Sequence, residues 1–165
     1  MSLLLFLQNM FDLDALIIFL IAAAPIGELR VAIPYGILLT QVPFLNVLIL
    51  SVVGNIFSGI FIIYFFPKII IFLSKINFID KLYKKIIKRT YSRSVIIQNR
   101  KYYGLIFFVS LPLPFTGVWT GALAANLIGL SKYKSTLAII IGVFISSTIV
   151  TSFVKFGLLT ITSLQ

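Results

Sequence analysis

Residues 112–121 read PLPFTGVWTG and stand in the middle of an apolar segment running from about 104 to 130. Pro112 and Pro114 each remove a backbone donor and clash with the turn before them. Each also pushes its predecessor toward extended geometry. With Gly117, Gly121 and two threonines alongside, a continuous helix is not expected. In water such a stretch would be a loop, but the rest of the chain is composed for a bilayer. Hydrophobic residues make up 60% and charged residues 11% of the 165, against about 45–50% and about 25% in an average soluble domain. Mean hydropathy is +1.13. At membrane depth, irregular backbone persists only where it is buried in protein or lines a polar cavity. The stretch therefore predicts an integral membrane protein with a broken segment, the device from which transporters commonly build substrate sites.

Two absences narrow the chemistry. The chain has no histidine and no cysteine. The commonest metal ligand and acid–base group is missing, and so are thiolates and disulfides. Ser-His-Asp catalysis and metal-assisted hydrolysis are disfavoured. No enzymatic activity, cofactor or metal is expected.

Taken in order, residues 1–14 are apolar with Asp12 and Asp14, and the first basic residue is Arg30. A signal peptide would begin with a basic region, so none is read here. The first apolar block, 13–40, is interrupted by AAAPIGELRVAIPYG at 22–36. Pro25, Gly27 and Pro34 are expected to break it, and Glu28 and Arg30 place two charges inside it. Residues 43–66 carry no charge. As a helix they would span about 36 Å, enough to cross a core of ~30 Å with some tilt. Pro43 is expected to begin this helix and Pro67 to end it. Gly54 and Ser58 give it a narrow face for close packing.

Residues 67–103 hold ten of the fourteen basic residues. Ile76, Ile79, Leu82, Tyr83, Ile86 and Ile87 recur at helical spacing. They predict a basic amphipathic helix on the cytoplasmic membrane surface, with anionic lipid against residues 75–101. A plain positive-inside loop is the competing reading, and nucleic acid is not an expected partner. The second broken block, 104–130, follows, then a last apolar helix at 135–157. Its hydroxyls, Ser146, Ser147, Thr148, Thr151 and Ser152, are expected to bond to their own helix or a neighbouring one.

The order is broken, continuous, basic, broken, continuous, which is a two-fold repeat in hydropathy. With 67–103 held in the cytoplasm, full crossing of both broken blocks would put Lys132 and Lys134 outside. Re-entrant hairpins put them inside, with the other basic residues. Arms of about ten to thirteen residues also suit re-entrant pieces. The expected fold is all-α, a single multi-pass domain of the plasma membrane. It holds two inverted repeats, each a re-entrant helical hairpin plus a transmembrane helix, and the hairpin tips meet near the midplane. A homodimer is compatible with this reading.

Glu28 and Arg30 are candidate substrate- or ion-binding residues because an ionisable group at membrane depth is functional by default. Glu28 is expected in the first turn of a half-helix, where the dipole favours a carboxylate. The two side chains need not pair directly, since positions i and i+2 of a helix do not face each other. A buried, mutually neutralising structural pair, reached through neighbours or water, is the plainer alternative. In the second tip, Thr116, Trp119 and Thr120 are further candidate substrate- or ion-binding residues, and Thr116 is also a candidate cap for a half-helix starting near Gly117. Gly117, Gly121, Ala125 and Gly129 recur every fourth residue and read as a packing stripe.

The motifs PIGELRVAIPYG (25–36) and PLPFTGVWTGALAA (112–125) resemble the two signatures of the small multidrug export proteins, in order and over nearly the whole chain. Phe115 departs from the small residue that the resemblance leads one to expect. The resemblance implies a membrane exporter of small molecules, with ion or proton coupling. The hairpin-plus-helix organisation is also similar to that of DedA (VTT-domain) proteins, some of which move polyprenyl-phosphate carriers. Two mechanisms stay open on the residues. Glu28 could serve a cationic molecule with help from Trp119, or Arg30 and two half-helix N-termini could hold a lipid phosphate. A scaffold that transports nothing is a third reading.

Overall fold

The computed structural model describes residues 13–73, 88, 90–92, 94–113 and 116–163. Among these the protein is all-helical. Helices α1 (Leu13–Ala23) and α2 (Glu28–Leu39) are joined by a short turn at 24–27 and pack on each other. A long helix α3 (Phe44–Leu73) follows. After it come α4 (Val95–Ser110), α5 (Val118–Leu127) and a second long helix α6 (Lys132–Ser163). Within the long helices, Phe44–Ile69 and Lys132–Thr160 are long and apolar enough to cross a membrane. Much of the segment expected as an amphipathic surface helix, including Lys75, Lys81, Lys84 and Lys85, lies outside the described residues, as do Pro114 and Phe115.

The chain divides into two compact units, 1–56 with 143–165, and 57–142. In the first, Ala15, Ile18 and Ala22 of α1, Ala32 of α2, and Val47 and Leu50 of α3 form a buried cluster, with Phe19, Tyr35 and Val42 packed against it. Small residues let these helices approach closely. A Cβ on Gly54 would lie 2.7 Å from the Phe19 carbonyl and 3.1 Å from Ala22 Cβ. Gly36 lies equally tight against Val47 and Ile18.

The second unit uses the same device. A Cβ on Gly142 of α6 would lie 2.8 Å from Val109 Cβ and 3.1 Å from the Ile106 carbonyl. One on Gly121 of α5 would meet Val109 and Leu105 of α4, and one on Gly59 of α3 would meet Val118 and Ile139. Asn126 Nδ2 donates to the Ile62 carbonyl at 3.0 Å, tying α5 to α3. At the base of this unit, Ser131 N donates to Tyr102 Oη at 3.2 Å. There Lys134 Nζ stands 5.8 Å from the Tyr102 ring centroid and Lys132 Nζ 5.6 Å from that of Tyr64. Tyr102 and Ser131, which flank the 104–130 segment in sequence, thus lie side by side.

Several expected boundaries move. Pro34 does not break its helix, because α2 runs through it to Leu39. Pro67 does not end α3, which continues to Leu73. Proline's fixed φ fits a helix, so the loss is one backbone bond and some crowding of the preceding turn. In α2, burial of Leu29, Ala32, Ile33 and Gly36 offsets that loss. The last helix also starts earlier than Ser135, at Lys132, and runs past 157. Finally, α4 contains a sharp turn at Lys101 (φ 50, ψ −120). The turn folds Gly104 back onto the backbone of Ile96 and Ile97, so the first arm of the second broken segment begins just after Lys101.

Candidate functional site

The first broken segment turns through Pro25, Ile26 and Gly27. Ala24 N donates to the Ile21 carbonyl at 3.2 Å and Glu28 N to the Ala24 carbonyl at 3.3 Å. Gly27 has helical torsions, so its need for glycine is one of space: a Cβ would lie 2.6 Å from the Ile21 carbonyl oxygen. Glu28 opens α2 but has φ 48, the left-handed region that side chains other than glycine's seldom occupy.

That torsion accounts for a difference from expectation. Arg30 Nη2 donates to Glu28 Oε2 at 3.0 Å, a direct ion pair between positions i and i+2. The rule that such positions diverge holds for consecutive helical residues, and Glu28 is not one. The Glu28 side chain is 7% exposed and that of Arg30 21%. The carboxylate is therefore held inside, and the guanidinium partly covers it. Pro34, one turn on, supplies no N–H for the Arg30 carbonyl.

In the second unit the tip runs from Leu111 to Gly117. Thr116 does not cap α5. Its Oγ1 lies 2.8 Å from the Leu111 carbonyl and 2.9 Å from that of Leu113, so its proton closes the tip onto the end of α4. The cap is Gly117, whose carbonyl accepts from Gly121 N at 2.8 Å. Its φ of 143 is a conformation that side chains rarely adopt. Trp119 and Thr120 fall in the first turn of α5 and are half-buried. Pro112 stands at the start of the tip, also half-buried.

The glycine stripe divides. Gly117, Gly121 and Ala125 are buried, and Gly121 packs as expected. Gly129 instead ends the helix with φ 74. Leu130 N donates to the Ala125 carbonyl at 2.9 Å and Gly129 N to that of Asn126 at 3.2 Å, the paired bonds of a Schellman stop.

The structure thus brings Glu28 and Arg30 together in one unit, and gathers Thr116, Trp119 and Thr120 at one loop–helix junction in the other. Lys155 is a polar residue that hydropathy alone reads as the end of a span. Its Nζ lies 4.3 Å from the Phe44 ring centroid. Its signal in the sequence is that it is the lone charge after Lys134. Among the described residues, no cluster of carboxylates could hold a metal ion.

Compared with curated proteins and with solved structures, the chain matches none. A family model does match, over residues 28–149, so it begins at Glu28 and takes in Arg30 and the whole second tip. The chain belongs to the family described as putative small multi-drug export protein.

Proposed function

We propose that this membrane protein exports small molecules and that the Glu28–Arg30 pair is its working site. The carrying observation is the pair itself: a 3.0 Å ion pair, mostly buried, at the head of a half-helix inside an apolar block. A carboxylate satisfied by a neighbouring guanidinium is held ready but neutralised. A cationic substrate must displace Arg30 to reach Glu28, and a proton taken up by Glu28 releases both. Substrate and proton then compete for one carboxylate, which is a basis for coupled export. The pair has no covalent chemistry to perform, and the reading is of a transporter and not an enzyme.

The architecture proposed for this work is a pair of re-entrant hairpins related as inverted repeats. Its support in the second unit is the Ser131–Tyr102 hydrogen bond and the closeness of Lys132 to Tyr64, which favour a segment that enters and leaves by one face. Gly54 and Gly142 each lie about 15 Å along their long helix from its start, half of a ~30 Å core. Each packs against the last turns of the arm that precedes it. Anionic lipid at the basic face of residues 75–101 completes the proposal.

A second reading, translocation of an anionic lipid carrier, draws on the greater exposure of the cation in the pair, 21% against 7%. Proteoliposomes test both, with a cationic dye and a polyprenyl phosphate as substrates, with and without a proton gradient. Export requires Glu28→Gln to abolish dye movement and its response to the gradient. Loss of polyprenyl-phosphate movement in Arg30→Gln, with Glu28→Gln only shifting its pH dependence, selects the second reading. Unchanged transport in both variants rejects the pair as the site.

A further inference from the structure

In the first unit, far along α6, a cavity of about 290 Å³ is lined by Leu48, Ser147, Thr148, Thr151, Ser152 and Lys155. We infer that this groove binds the anionic phosphate head group of an amphiphile, at a site separate from Glu28 and Arg30.

The lining residues argue for an anion. Among the described residues, Lys155 is the only charged one in the wall, and no carboxylate lines it. The ammonium stands over the Phe44 ring, 4.3 Å from its centroid. The hydroxyls supply donors. Ser147 and Thr148 donate to the Phe144 carbonyl at 2.8 and 3.0 Å, and Ser152 to that of Thr148 at 2.8 Å. These carbonyls belong to a continuous helix and keep their backbone donors, so each hydroxyl can rotate toward a ligand at little loss. Thr151 Oγ1 is different. It is shielded from solvent and has no hydrogen-bond partner among the described residues. A buried hydroxyl without a partner is destabilising, and a turn of the Thr151 side chain into the groove that it helps to line would let a phosphate oxygen satisfy it.

Depth and size argue for a head group. Lys155 lies about 35 Å along α6 from Lys132, beyond a hydrocarbon core of ~30 Å, where head groups reside. The volume is at the lower end of small-ligand pockets, about 300–1,000 Å³, so it fits a phosphate and its ester link better than a drug-sized molecule. Phe144, one turn below Thr148, is exposed and continues the face as an apolar track for a chain.

The test uses the full-length protein in phosphatidylcholine nanodiscs. Leu48→Cys gives a single thiol in the groove wall, and its alkylation by uncharged N-ethylmaleimide is timed. Dodecyl phosphate should slow alkylation, about tenfold at ten times its dissociation constant. Inorganic phosphate run in parallel identifies the source: protection by dodecyl phosphate alone assigns an amphiphile, and equal protection by both assigns a free phosphate. Protection should be lost in Lys155→Gln with Thr151→Val and retained in Lys155→Arg with Thr151→Ser. Equal protection by dodecyltrimethylammonium, protection that survives the first double variant, or no protection by either phosphate overturns the inference. Transport through Glu28 and Arg30 is not read in this assay, so its outcome is independent of theirs.

Discussion

Two non-glycine residues hold positive φ among those described, Glu28 and Lys101, and they are strained for different ends. At Glu28 the left-handed torsion swings the carboxylate onto Arg30. At Lys101 it serves only the turn that lays Gly104 against Ile96. Strain of this kind costs about 1–3 kcal/mol, while glycine's extra freedom in the unfolded chain returns about 0.4–1 kcal/mol. Lys101→Gly should therefore stabilise the protein by about 1 kcal/mol, read as a raised midpoint of denaturant unfolding in detergent. No change in that midpoint would mean the turn is relaxed. Gly27→Ala should act the other way, because its Cβ would meet the Ile21 backbone at 2.6 Å. A loss of about 1–3 kcal/mol is expected, with Gly157→Ala, which meets nothing within 4 Å, as the harmless comparison. Sequence reasoning found the glycine and the two charges but not the ion pair, since residue types carry no torsions. It also overweighted Pro34 and Pro67, which forfeit one hydrogen bond each inside helices that continue past them, with burial offsetting the loss at Pro34.

The elements repeat a single device, a helix pair followed by a long helix with a glycine at the crossing. Gly54 meets Phe19 and Ala22 of the arm before it; Gly142 meets Ile106 and Val109. In both cases the contacts are three residues apart near the end of the arm, although the surrounding sequences share little. The shared constraint is on volume at two points and leaves the rest of each sequence free. Replacing either glycine by leucine should separate the helices and lose more than alanine does. Asn126 tests the polar part of the packing. Its amide joins α5 to the Ile62 carbonyl, and such bonds in membrane proteins are worth about 0.6 kcal/mol on average. Asn126→Leu should lower stability by about that amount, and a loss several times larger would show that the amide has a further task.

For the whole molecule, the arrangement of cations relative to the bilayer decides whether the broken segments turn back or cross. Lys132 and Lys134 stand beside Tyr64 and Tyr102, and Ser131 bonds to Tyr102. Tyr102 directly follows the basic stretch that holds Arg100 and Lys101, which the positive-inside rule assigns to the cytoplasm. A residue hydrogen-bonded to Tyr102 cannot lie on the far side of a core of ~30 Å. The exposed Ser131 and the exposed Gln41 should therefore face opposite sides, since the intervening α3 is long and apolar enough to cross a membrane. The absence of native cysteine makes this measurable. In right-side-out vesicles, Gln41→Cys should react with an impermeant maleimide, and Ser131→Cys should react only after permeabilisation. If Ser131→Cys is labelled from outside at the rate of Gln41→Cys, the second segment crosses the membrane and the re-entrant reading fails. The expected pattern would leave both tips about halfway through the bilayer, where a buried carboxylate needs the guanidinium that Arg30 supplies.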